Sequence, residues 1–165
     1  MQAIVEGIYT SAVKGTPLHS VSEGKLEAGR GLVGDRYHAG VGTFSENLRG
    51  RPDAEITLIE SEEIQRFNDV EKSAKSPGEF RRNIVTRGVR LNDLIGCRFS
   101  VGSAVLEGIR LCEPCVHLAK LVSSSVVETM AHRAGLRARV LSGAIIRPGD
   151  EINQLGREAT LDLRM

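Results

Sequence analysis

The sequence predicts a mostly β fold: a closed or nearly closed, mainly antiparallel β-barrel with short helices in the connections. Three observations carry this. The apolar segments are short and punctuated by 18 glycines spread along the chain. Several of them alternate with period two or form short β-rich runs. Roughly seven to nine strand candidates emerge, without the regular strand–helix alternation that marks a doubly wound parallel sheet. With 165 residues the chain has room for one domain, residues 1–165.

The elements follow in order. Val5 to Tyr9 and the region of Val21 read as strands. Ile56-Thr57-Leu58-Ile59 is a β-rich run. It leads into a helix from Glu60 to Phe67, for which Ser61 is the expected N-cap and the early acids suit the helix dipole. Asn83-Ile84-Val85-Thr86 is a further strand. Asn92 to Gly96 is a helical turn ended by glycine. Phe99-Ser100-Val101 and Ala104 to Leu111 form a hairpin around Gly102-Ser103. Cys115 to Leu121 has helical apolar spacing, and Val126 to Ala134 is a second short helix. Arg137 to Leu141 alternates as a strand. Ala144 to Arg147 and Glu151 to Asn153 are strands flanking the turn Pro148-Gly149-Asp150. The polar, Gly/Ser/Pro-rich stretches Gly40 to Asp53 and Lys72 to Gly78 are expected to be mobile loops.

Composition narrows the function. A net charge of +1 and 4% aromatics, with no Trp, argue against nucleic acid as a partner. The apolar runs fall far short of the roughly 18 residues a membrane helix needs, so no membrane role is expected. The N-terminus carries no basic patch followed by an apolar stretch, and three cysteines are too few for a disulfide framework. Free thiols in a cytoplasmic protein are the expectation. Of the 22 basic residues 17 are Arg, the side chain suited to bidentate grip on phosphate and carboxylate.

Five constellations could carry chemistry. Gly29 to Arg36 looks like a phosphate loop, but Gly34-Asp35-Arg36 stands where a Walker loop needs Gly-Lys-Ser/Thr. It is either a turn held by an Asp35–Arg36 contact or a loop facing a cofactor. His38 after that turn is a structural histidine or, with Asp35, a weak metal candidate. The stretch from Arg81 to Arg110 is rich in arginine, with Asp93 and Glu107 as its acids. If it is a strand there, Arg81 and Asn83 share a face and Arg82 points away. Together they would grip a phosphate or a heterocycle edge, and the alternative is a solvated basic rim. His132 near a helix end reads as a cap.

The strongest constellation is Leu111-Cys112-Glu113-Pro114-Cys115-Val116-His117. Cys112 ends a strand and Cys115 opens a helix, where thiols of the nucleophilic and metal-binding kind are found. The spacing fits a redox pair, or half of a zinc site with His117 or His132. No second Cys pair completes a structural zinc site. Cys115 remains as a single activated thiolate with Cys112 as its neighbour.

In this order, these pieces resemble the MOSC domain family, the molybdenum cofactor sulfurase C-terminal domain, in its small stand-alone bacterial form. The matching segments are Gly31 to Arg36, Ile56 to Glu60, Pro77 to Val89 and Leu91 to Gly96. Arg110 to Cys115, Leu136 to Ala138 and Gly149-Asp150 complete the series. The resemblance implies a small β-barrel that binds the molybdenum cofactor, molybdopterin. It implies that Cys115 ligates the metal or carries a persulfide, with Cys112 and His117 shaping the pocket and relaying protons. Arg81 and Asn83 match the family's Arg-x-Asn motif and would hold phosphate and pterin, with Arg36 and Arg110 as further basic contacts. It implies either sulfur transfer to the cofactor or reduction of N-hydroxylated compounds. The partner would be a cysteine desulfurase or an electron-donor protein, because the chain has no room for a desulfurase domain of its own. Two alternatives stand beside this: a structural or regulatory barrel with an idle thiol, and a zinc-binding module through Cys112 and Cys115.

Overall fold

A computed structural model of the chain describes residues 2–157. Eleven strands form two sheets among these residues. The strands are β1 (Ile4–Thr10), β2 (His19–Val21), β3 (Gly24–Glu27), β4 (Gly31–Leu32), β5 (Ile56–Glu60) and β6 (Ile84–Arg87). Then come β7 (Cys97–Val101), β8 (Ala104–Leu111), β9 (Leu136–Ser142), β10 (Ala144–Ile146) and β11 (Ile152–Arg157). Three helices lie in the connections: α1 (Ser61–Glu71), α2 (Val116–Leu121) and α3 (Val126–Thr129). The large sheet has the order β11-β7-β8-β9-β5-β6-β1-β2, and β10-β3-β4 form the small one.

The pairing is antiparallel except between β5 and β6, which run parallel in the register Leu58↔Ile84. That pair needs a crossover, and α1 lies in it. The sheet curls but is not a closed barrel, which corrects the closed form of the prediction. Between β1 and the residue just before β11 there is an isolated bridge, Ile4↔Glu151, where a closed barrel would have a full ladder. Bonds such as Val5 N–H to Asp150 O (2.8 Å) hold the two ends together there. The strands around Pro148-Gly149-Asp150 also part company: β10 pairs with β3 and β11 with β7.

Strand pleating divides the core in two. Leu58 and Ile84 face the interior of the curl with Val5, Ile8, Phe99 and Leu106. Their neighbours Ile59 and Val85 face outward against Phe67 of α1, Leu118 of α2 and Val126 of α3. Phe67 and Phe80 meet edge to face there, with ring centroids 5.3 Å apart. Each such fully buried large side chain contributes roughly 1.5–3 kcal/mol.

Three local expectations are corrected. Glu60, not Ser61, is the N-cap of α1; Ser61 is its first residue, and its hydroxyl donates to Glu62 Oε1 at 3.0 Å. The segment from Arg81 to Asn83 is not strand. A 3-10 turn at Pro77–Phe80, closed by a Ser76/Glu79 capping box, ends on Arg81 in the left-handed conformation (φ 64°), and β6 begins only at Ile84. The second short helix stops at Thr129, and His132 (φ 61°) turns the chain away.

Gly135 illustrates how tightly the site's scaffold is packed. Its φ is +114°, and a Cβ there would lie 2.0 Å from Leu58 O. Gly135→Ala is therefore expected to lower stability by roughly 2–3 kcal/mol, read from urea unfolding. A loss below the measurement error would overturn that reading of the contact.

Candidate functional site

The end of β8, the start of α2, the turn before β6 and the turn after β4 converge outside the sheet. Cys112 is buried, and its N–H donates to Gly135 O (2.8 Å). Cys115 is the extended N-cap of α2 (φ −131°, ψ 174°) and is half-buried. Both thiols are free. With Arg36, Arg81, His117 and Phe44 they line a narrow cavity of about 40 Å³. Tyr37, Thr43, Thr57, Arg82 and Arg137 add to its polar wall, and no carboxylate lines it.

Arg36 is buried beside Asp35, so the glycine-rich turn is braced internally by that contact and also faces the cavity. Asp35 Oδ1 accepts from Arg36 Nη1 (3.1 Å), Thr10 Oγ1 (3.1 Å) and Ser11 N–H (3.3 Å), and its Oδ2 accepts from Tyr37 N–H (3.2 Å). Asp35 thus holds Arg36 toward the cavity, and the guanidinium stacks 4.8 Å from the centre of the Tyr37 ring. Arg81 enters from its left-handed turn. Three buried nitrogens at this site have no hydrogen-bond partner: Arg36 Nε, Arg81 Nη1 and His117 Nε2. Unmet donors in one place are costly unless something accepts from them.

The electrostatics agree. Burial, aided by the charge of Arg36, pushes Arg81 down to about 10. Burial and then the charges of Arg81, Lys120 and Arg36 lower His117 below its ordinary value. The cations repel one another, and Asp35, paired with Arg36, offsets this only in part.

The structure brings together Cys112, Cys115, His117, Arg81 and Arg36. It leaves two predicted contacts outside. Asn83 spends its amide internally: Oδ1 accepts from Thr57 N–H (3.3 Å) and Oγ1 (3.2 Å), and Nδ2 donates to Tyr9 O (3.2 Å). Arg110 binds Asp53 Oδ2 at 2.5 Å. Burial alone would raise Asp53, but Arg110 and then Arg51 hold its carboxyl below its usual range. Arg82, expected to point away, lines the cavity with Arg81, though its guanidinium is spent on backbone carbonyls. Arg137 and Phe44 are the additions that sequence reasoning missed. Arg137 sits opposite Arg110 across β8 and β9, so only the sheet register reveals it.

His38 pairs with Glu27 (2.9 Å), and His132 pairs with Glu113 (2.7 Å) away from the thiols. Among the described residues, no three His, Cys, Asp or Glu side chains are grouped to hold a metal ion. The zinc-module alternative therefore lacks a ligand set here. No helix among those residues is long and apolar enough to cross a membrane.

The sequence matches the model of the MOSC domain over residues 45–153. The chain belongs to the MOSC domain family. No curated protein matches it in sequence. Among solved structures, this MOSC domain resembles YuaD from Bacillus subtilis at 20% identity, with a TM-score of 0.77, over 92% of this chain and 94% of that one. It also resembles YiiM from Geobacillus stearothermophilus at 16% identity and TM-score 0.71, covering 96% of this chain and 77% of that one. YiiM from Escherichia coli follows at 20% identity and TM-score 0.69, covering 95% and 71%. These similarities show the fold. The family is associated with molybdenum cofactor binding or sulfur transfer.

The side chains present fit that cofactor in chemistry. Three unmet nitrogens suit an anionic phosphate, and a thiol suits a soft metal centre.

Proposed function

We propose that this MOSC domain binds the molybdenum cofactor, with Cys115 as thiolate ligand of the metal or as persulfide carrier. The observation that carries the reading is the set of three unpartnered buried nitrogens around one cavity with a free thiol. When bound, the cofactor would supply two-electron redox chemistry at a metal that accepts sulfur ligands. Arg36 and Arg81 hold the phosphate. His117, neutral at pH 7, offers Nε2 as a proton acceptor or donor beside Cys115. Arg82 keeps Cys112 and the turn before β6 in place. Cys112 forms the buried wall against which Cys115 works. Asn83 contributes by bracing β5 against β1, and Arg110 by holding Asp53 beneath Arg137.

Two uses of such a site fit. In one, a cysteine desulfurase loads Cys115 with a sulfur that is passed to the cofactor. In the other, an electron-donor protein feeds a small reductase of N-hydroxylated compounds. Both place the protein in the cytoplasm with its thiols reduced.

Purified from a host that makes the cofactor, the wild type is expected to retain molybdenum and pterin, measured by elemental analysis and by fluorescence of the oxidised pterin. Cys115→Ser is expected to lose most of its molybdenum. Equal metal in both proteins would leave the idle-thiol barrel as the better reading.

A further inference from the structure

We infer that Phe44 is a displaceable plug, carried on a hinged strap of residues 40–50, that decides which molecules reach Cys115. The inference rests on the reading of Cys115 as the working thiol.

Size is the first argument. Small-molecule sites usually measure roughly 300–1,000 Å³, and the cavity at Cys115 measures about 40 Å³. The covered site has room for little more than water. Part of what fills it is Phe44, whose ring meets the His117 ring edge to face, with centroids 5.9 Å apart. His117 Nε2 is one of the unmet nitrogens, so the phenyl ring stands beside a polar atom it cannot satisfy.

The strap's backbone is bonded mainly to itself, and Leu48 is its one buried side chain. Among the described residues, the hydrogen bonds of residues 39–50 stay within the segment 35–51. Leu48 N–H donates to Phe44 O (3.0 Å), Ser45 N–H to Gly42 O (3.0 Å) and Val41 N–H to Arg36 O (2.9 Å). Phe44 N–H donates to Tyr37 Oη, and Gly42 N–H to Ser45 Oγ. No ladder stitches the strap to either sheet. Gly40 (φ +74°) and Gly50 (φ +75°) stand at its two ends, in a backbone region that other residues rarely adopt. The strap also has space beside it. Cavities of about 620 Å³ and 530 Å³ flank it, and both are lined by Gly40, Ser45 and Arg49. A rotation about the two glycines would carry Phe44 off His117 and join the small cavity to these larger ones. The opened trough is lined by Arg30, Arg49 and Arg51 but also by Glu46 and Glu55, and Arg30 and Arg51 already pair with Glu27 and Asp53. It therefore admits molecules too large for the covered site without a single sign of charge to select them.

The test is the rate at which Cys115 is alkylated, using iodoacetamide as the small reagent and fluorescein maleimide as the bulky one. Peptide mass spectrometry assigns the modified thiol, and buried Cys97 reports any unfolding. In the wild type, both reagents are expected to react far more slowly than with the urea-unfolded chain, and the bulky one to be slowed more. Phe44→Ala removes the ring pair, which is expected to speed the bulky reagent about fivefold to tenfold, and to bring the two slowdowns together. Phe44→Leu, which keeps most of the volume, is expected to lie between and serves if the alanine variant exposes Cys97. Equal slowdown of both reagents in the wild type, or a ratio unchanged in both variants, would overturn the plug. No cofactor enters this assay, so a failure of cofactor loading leaves its outcome intact, and a failed plug leaves the loading result intact.

Discussion

Arg82→Met is expected to lower the unfolding free energy by about 3–5 kcal/mol, the largest stability effect of any single side chain at the site. The Arg82 guanidinium is buried and reaches three carbonyls: Ala134 O through Nε (2.9 Å), Phe80 O through Nη1 (3.1 Å) and Cys112 O through Nη2 (2.9 Å). Those carbonyls belong to the turn before β6, the residue after β8 and the turn before β9. One planar fork therefore ties together three segments that are distant in sequence. Each bond from a charged donor contributes roughly 1.5–3 kcal/mol, and its loss leaves a buried carbonyl without a partner. The contributions do not add fully, because the segments relax together. Methionine keeps the volume and removes the fork. Lysine keeps the charge but presents a compact ammonium instead of a planar fork, so Arg82→Lys should recover only part of the loss. Urea unfolding of the three proteins decides this, and a loss under about 1 kcal/mol in the methionine variant would show that the fork is dispensable. Because Arg82 holds the Cys112 carbonyl, the same variant should also expose Cys112 to alkylation before global unfolding.

Local signals in the sequence were reliable where the structure is local. The β7–β8 hairpin follows from alternation, with Phe99, Val101, Ala104 and Leu106 buried and Gly102 at the turn with φ +55°. The grouping of Cys112, Cys115 and His117 follows from their spacing at a strand end and a helix start. Misreadings arose where a neighbour outside the window decides the geometry. Alternation places Arg81 and Asn83 on one strand face, yet the capped turn at Pro77–Phe80 puts Arg81 in the left-handed region and breaks that pattern. Both side chains matter, one in the cavity and one as a brace, for a reason the pleat does not supply. Ser61 lost the N-cap position because β5 runs on through Glu60 into the helix. Closure of the barrel depends on how far the first and last strands of the curl overlap, which no local pattern encodes. Phe44, Arg36, Arg81, Cys115 and Arg137 span a hundred residues and meet only through the sheet order and the strap. The resemblance groups Arg36, Arg81 and Cys115, but the places of Phe44 and Arg137 beside them emerge only from the topology.

Arg81→Asn separates the anion site from the fold, because asparagine tolerates the left-handed backbone that arginine occupies here at a cost. The variant is expected to melt no lower than the wild type while binding sulfate about 10- to 100-fold more weakly, the loss of one strong charge-assisted contact. Sulfate is the useful probe because its own charge is constant from pH 4.5 to 9, so any pH dependence belongs to the protein. Arg81, pushed down to about 10, stays protonated across that range. His117 does not. It is neutral above its lowered value and gains a proton as the pH falls through it. Its Nε2 then becomes a charged donor, so wild-type affinity should be level near pH 8 and climb only below the ordinary histidine range. Burial is the larger cause of that lowering, and the Arg81 charge comes next. Removing Arg81 should therefore move the climb to higher pH without restoring it fully, since burial remains. Calorimetric titrations of sulfate at several pH values, with the His117 ring followed by NMR, read both quantities in one experiment. Unchanged affinity together with an unmoved histidine titration would mean that Arg81 and His117 do not share a site. The unmet nitrogens would then be a packing defect and not a waiting anion site.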